Sequence, residues 1–135
     1  MEKSTVPYAL AVDDEVIIRM DACGILEEAG FRCLDAGSGD AALEVLEGKS
    51  EQIVVVFTDV EMPGGTNGFR LARIVAERWP HIEIVVSSGR LKPQDGDLPA
   101  KAAFISKPFS AGVVHEELRW LLPDGRKPEP LRTAV

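Results

Sequence analysis

The chain has 135 residues, 45% of them hydrophobic and 27% charged, with Lys+Arg 15 against Asp+Glu 22 for a net charge of −7. That length fits one domain with a core of its own, and the composition excludes an intrinsically disordered chain. With no basic patch or arginine-rich arm, nucleic acid is not an expected partner. The longest apolar runs, such as Ile53 to Phe57, fall far short of the roughly 20 residues that span a bilayer, so no membrane insertion is expected.

Tyr8 to Val12 reads as a short strand that runs into Asp13-Asp14-Glu15 rather than into a small-residue cleavage site, which argues against a signal peptide and for the cytoplasm. Glu15 to Ala29 reads as a helix with Val16, Met20, Cys23 and Leu26 returning on one face, closed by Gly30. Arg32 to Ala36 is a second strand, and Gly39 to about Glu47 a second helix. Cys23 and Cys33 fall in that first helix and second strand. A core of this size needs no staple, so both are expected as free thiols.

Ile53 to Thr58 is a continuous apolar run, as a central parallel strand covered on both faces requires. Gly68 to Arg78 forms a third helix carrying Ala72, Val75, Ala76 and Trp79, and Pro80 stops it. Ile82 to Val86 and Ala102 to Ile105 are the fourth and fifth strands. Between them, Gly89, Pro93, Gly96 and Pro99 interrupt the place where a helix is due, which predicts a loop or a single distorted turn. The last helix spans about Ser110 to Leu122, with Val114, Leu118, Leu121 and Leu122 inward. The alternation predicts an α/β fold, a doubly wound five-stranded parallel sheet with right-handed crossovers. Residues 1–123 make the domain, and 124–135, with Gly125, Pro128 and Pro130, are expected to be a flexible tail.

The chemistry gathers at strand ends. Asp59 ends the third strand, Asp13-Asp14 the first, Ser87 the fourth, and Lys107-Pro108-Phe109 the fifth. Residues at the carboxyl ends of parallel strands converge in one crevice. Each has an ordinary alternative: Asp14 reads equally as a helix cap, Asp59 as a turn residue, Lys107 as a surface lysine and Ser87 as a partner for its own loop. The combination decides against them. Close carboxylates repel by about 4 kcal/mol per pair at an effective dielectric of 20, and a divalent cation removes that penalty. Carboxylates, a backbone carbonyl and water suit Mg²⁺. A carboxylate nucleophile, a cation and a lysine counter-charge equip the site to move a phosphoryl group onto Asp59. Phe104 is a core or edge aromatic, with an inward swing as the other reading; His81 and His115 show no metal-ligand spacing and read as surface residues.

With Val12-Asp13-Asp14-Glu15, Thr58-Asp59-Val60-Glu61-Met62-Pro63-Gly64, Val86-Ser87-Ser88-Gly89 and Ser106-Lys107-Pro108-Phe109 in order, the chain resembles the receiver domain of two-component response regulators from about Ala9 to Leu122. The resemblance implies the flavodoxin-like strand order 2-1-3-4-5 and a phosphoryl group taken by Asp59 from a histidine kinase or histidine phosphotransfer protein. It implies Mg²⁺ held by Asp13, or by both Asp13 and Asp14, with Asp59 and the Glu61 backbone carbonyl; phosphoryl oxygens bound by Ser87 and Lys107; and a cis peptide before Pro108. Ser87 and Phe104 would form the switch, although Phe stands where Tyr is frequent. The turn from Met62 to Gly68 is one residue longer than the common form, and the degenerate fourth helix shifts the expected partner surface toward the fifth strand, last helix and remodelled loop.

A chain ending soon after the last helix is expected to act as a stand-alone regulator, catalysing nothing beyond its own phosphorylation and dephosphorylation, with an unknown downstream protein target. The alternative is a phosphate-independent interaction module. An aspartate-based phosphatase would need a second aspartate two positions after the nucleophile, where Glu61 stands. A flavin carrier would need a phosphate loop where Asp13-Asp14-Glu15 stands.

Overall fold

A computed structural model describes residues 6–62, 64–90, 92–123, 127, 128 and 131. Five parallel strands, β1 (Tyr8–Val12), β2 (Arg32–Ala36), β3 (Ile53–Asp59), β4 (Glu83–Ser88) and β5 (Ala103–Ser106), form one sheet in the order β2-β1-β3-β4-β5. Between and after them lie α1 (Val16–Glu28), α2 (Gly39–Lys49), α3 (Gly68–Arg78) and α4 (Ala111–Leu121). The fold class and strand order are those the sequence predicts.

Every residue of β3 is buried, as a central parallel strand with helices on both faces demands. Its side chains alternate between two cores. Leu10, Val56, Ile84 and Val86 face α2 and α3, joined by Leu46, Leu71 and Val75. Ala9, Ala11, Phe57 and Val85 face α1 and α4, joined by Leu26, Leu118 and Leu122. The alternation slips once, at Val54–Val55, where the β1–β3 register shifts beside Tyr8 and Ala9. Fully buried side chains such as Leu10, Leu46, Ile53, Leu71 and Leu118 each stabilise the fold by about 1.5–3 kcal/mol relative to exposure.

Residues 89–102 form no helix among those described. The segment is instead fastened by short contacts: Gln94 N donates to Asp97 Oδ2 at 2.7 Å, Arg73 Nη1 to the Asp97 carbonyl at 3.1 Å, and Lys101 Nζ to the Pro80 carbonyl at 2.6 Å. Gly96, at φ +90°, takes a conformation that side-chain-bearing residues rarely adopt.

Three expectations are corrected. Val16 (54%) and Met20 (65%) are exposed; the buried face of α1 is Ala22, Ile25 and Leu26, with Cys23 only partly covered. Cys23 and Cys33 are not free thiols but a disulfide, because the Gly30 turn folds α1 back over β2 and brings their Cα atoms to 5.7 Å, within the span such a bond requires. His115 is half-buried, and its Nε2 donates to the Ile25 carbonyl at 2.8 Å, tying α4 to α1.

Of the expected tail, the described residues Lys127, Pro128 and Leu131 are buried, and Leu131 (1% exposed) joins the α1–α4 core. Residues 124–126, 129, 130 and 132–135 lie outside the described set.

Candidate functional site

Parallel register sets the site. Val12 pairs with Thr58 and Asp59 with Ser87, so the residues that end β1, β3 and β4 arrive at one edge of the sheet. The chain must turn there. Asp13 Oδ1 accepts from Glu15 N at 2.9 Å, so this carboxylate also organises the turn into α1, whose cap residue Glu15 makes no side-chain cap bond. Its other oxygen, Oδ2, accepts from Lys107 Nζ at 3.1 Å. The lysine also lies 3.0 Å from Asp59 Oδ1.

Asp13 and Asp59 are buried and Asp14 is exposed, and one carboxylate oxygen from each lies within 4.8 Å of the others. Oxygen donors alone, two of them shielded and one open to solvent, fit a hard cation that keeps some of its water; they fit Mg²⁺. Glu61 is exposed at the start of the loop after β3, where its backbone carbonyl would be the neutral ligand. Ser87 Oγ is buried with no hydrogen-bond partner among the described residues, a polar atom suited to receive a ligand oxygen.

Burial raises the Asp59 carboxyl above its ordinary range. Hydrogen bonding and attraction to Lys107 act against that, and the Asp13 charge adds to it. For Lys107 burial acts to lower the value, but hydrogen bonds to Asp59 and Asp13 outweigh it and hold the ammonium above its ordinary range. The lysine therefore stays charged beside the two carboxylates.

Beneath this constellation Phe57 and Phe109 pack at a centroid distance of 5.0 Å, seating the turn after β5, and the Lys107–Pro108 peptide is cis. Phe104, partly buried, packs against the α2–α3 core and lines a groove with Ile105, Pro108, Phe109 and Val113, away from the carboxylates.

Sequence reasoning missed two supports. Arg19 donates from Nη1 to the Asp13 carbonyl at 2.9 Å and from Nε to Asp35 at 2.8 Å, clamping the acidic turn to β2. Its only signal in sequence is an arginine one helical turn after Glu15, which reads as surface. Thr66 Oγ1 donates to Asp40 Oδ1 at 2.7 Å; the two are 26 residues apart, and no local pattern pairs them.

Residues 9–119 match the family model described as the response regulator receiver domain. The sensor kinase CckA of Brucella abortus is 35% identical over 104 residues, which cover 75% of this chain and 11% of the kinase. The rice two-component response regulator ORR5 is 37% identical over 90 residues, covering 65% of this chain and 66% of its own. The solved response regulator TrrA of Thermotoga maritima, in complex with Mg(2+)-BeF, superposes with a TM-score of 0.75 at 26% identity, covering 87% of this chain and 100% of that one. With more than half its length matched by the family model, the chain belongs to the response regulator receiver domains of two-component systems.

Proposed function

We propose that this receiver accepts a phosphoryl group on Asp59 from a histidine kinase or histidine phosphotransfer protein, and that the modified form signals by binding another protein or by passing the phosphoryl group on. The observation that carries this reading is Lys107 Nζ, 3.0 Å from Asp59 Oδ1 inside a cluster of three carboxylates. A structural domain gains nothing from massing those charges at one sheet edge.

An Asp59 oxygen attacks phosphorus in line with the nitrogen of a phosphohistidine whose other ring nitrogen carries a proton; the P–N bond breaks as the new O–P bond forms, its electron pair returns to the ring, and an acyl phosphate and a neutral imidazole result. Lys107 balances charge on the transferred group, and the Ser87 hydroxyl donates to one of its oxygens. Mg²⁺, held by Asp13, Asp14, Asp59 and the Glu61 carbonyl, would neutralise the remaining charge. Beyond making and losing this bond the protein catalyses nothing. Asp59 is buried, so a protein donor must cover the rim. There Val16, Ile17 (77% exposed) and Met20 follow the acidic turn and offer an apolar contact. A donor charged from ATP supports a cytoplasmic setting; the Cys23–Cys33 disulfide argues the other way, since such bonds are uncommon there.

Incubation with Mg²⁺ and acetyl phosphate, read by intact mass, tests the reading. The wild type gains one phosphoryl group and Asp59→Asn gains none. Full uptake by the variant, or failure of the wild type with acetyl phosphate and with a panel of histidine kinases, overturns it.

A further inference from the structure

Among its described residues, the loop after β3 is fastened at its base and at Thr66. At the base, Gly68 N donates to the Val60 carbonyl at 2.9 Å, and a Cβ at position 68 would collide with the Asp59 carbonyl. Buried Thr66 hydrogen-bonds Asp40, the second residue of α2. Both partners are cut to allow this approach. A Cβ on Gly39 would run into the Thr66 carbonyl and lie 2.8 Å from its Cβ, and Gly64 takes φ +98°, where a side chain would be strained.

Neither helix needs the contact for its own end. Ser38 Oγ already accepts from Ala41 N at 3.1 Å, and Asn67 Oδ1 from Arg70 N at 2.9 Å. The pairing of Asp40 with Thr66 therefore adds nothing to capping. It ties the loop that follows Glu61 to the start of α2.

We propose that Asp40 and Thr66 form a latch that positions the 60–68 loop, making them positioning residues for the cation ligand at Glu61; this rests on reading Asp59 as the phosphoacceptor. Loss of an outer-shell support weakens metal sites by about 10–100-fold, and an exposed backbone ligand belongs at the low end. Thr66→Val, which removes the donor and keeps the shape, should weaken Mg²⁺ binding about tenfold by calorimetry. It should raise the Mg²⁺ needed for half-maximal uptake from acetyl phosphate by the same factor, with the rate at saturating Mg²⁺ unchanged. Thr66→Ser should restore both. Gly39→Ala, which pushes the loop off α2 from the other side, should reproduce the defect while circular dichroism stays native.

Thr66→Val and Gly39→Ala proteins that fold and bind Mg²⁺ within about twofold of wild type overturn the latch, as does a Thr66→Ser variant as weak as Thr66→Val. If the wild type takes up no phosphoryl group, the functional reading falls, and the calorimetric affinities still decide the latch.

Discussion

Lys107 reaches from the end of β5 to place its ammonium 3.0 Å from Asp59 Oδ1, and the same nitrogen lies 3.1 Å from Asp13 Oδ2. One cation thus answers two buried carboxylates, one just after β1 and one at the end of β3. Removing it leaves the pair facing each other and the transferred group without its counter-charge. Lys107→Ala should slow phosphoryl uptake from acetyl phosphate by about 10²-fold or more at saturating Mg²⁺, the scale set by loss of one transition-state donor. Stopped-time intact-mass measurement gives the rate.

Asp59→Asn should raise the thermal stability of the metal-free protein at neutral pH. Burial, the largest influence on the Asp59 carboxyl, raises its folded-state value above the unfolded one. The folded state then binds more protons in that interval, so wild-type stability falls as pH rises through it. The variant has no such loss. Its advantage should therefore shrink as pH is lowered and vanish below the ordinary aspartate range near 4. Mg²⁺ should reverse the order by stabilising only the wild type, by about 2.7 kcal/mol at 100 times the dissociation constant. Melting curves across pH, with and without Mg²⁺, check both signs.

Leu131→Ala should cost about 2–4 kcal/mol in urea unfolding, as for a leucine removed from a packed core. Leu131 is 1% exposed among side chains of α1 and α4. A change within about 0.5 kcal/mol, the range of surface substitutions, would mean that this residue does not pack in solution.

Ile17→Glu should leave uptake from acetyl phosphate unchanged and slow transfer from a phosphorylated histidine phosphotransfer protein about tenfold, equivalent to about 1.4 kcal/mol of docking energy. Ile17 is 77% exposed, so the substitution leaves the core alone. Parallel time courses with the two donors separate docking from chemistry.

The strands and the strand-end residues were legible because their signals are local: an unbroken run from Ile53 to Phe57, an acidic pair at Asp13-Asp14, and prolines and glycines between Gly89 and Pro99. What escaped depends on depth or on distant pairing. Helix α1 carries two apolar stripes, Val16-Met20-Cys23 and Ala22-Ile25-Leu26, and a period of 3.6 does not say which one meets the sheet. The approach of Cys23 to Cys33 follows from how that helix lies over β2, and the hydrogen bond between Thr66 and Asp40 from the packing of a loop against a helix end. The burial of Leu131 has no local signal either, since the prolines and glycine near it in sequence do not mark it as a core residue.

The Ser87 hydroxyl, buried and without a hydrogen-bond partner among the described residues, sits on β4 opposite Asp59. On the proposed reading, a phosphoryl oxygen carried by Asp59 would find that donor already placed by a strand rather than by a loop. The serine would then help to recognise the modified aspartate at little ordering cost.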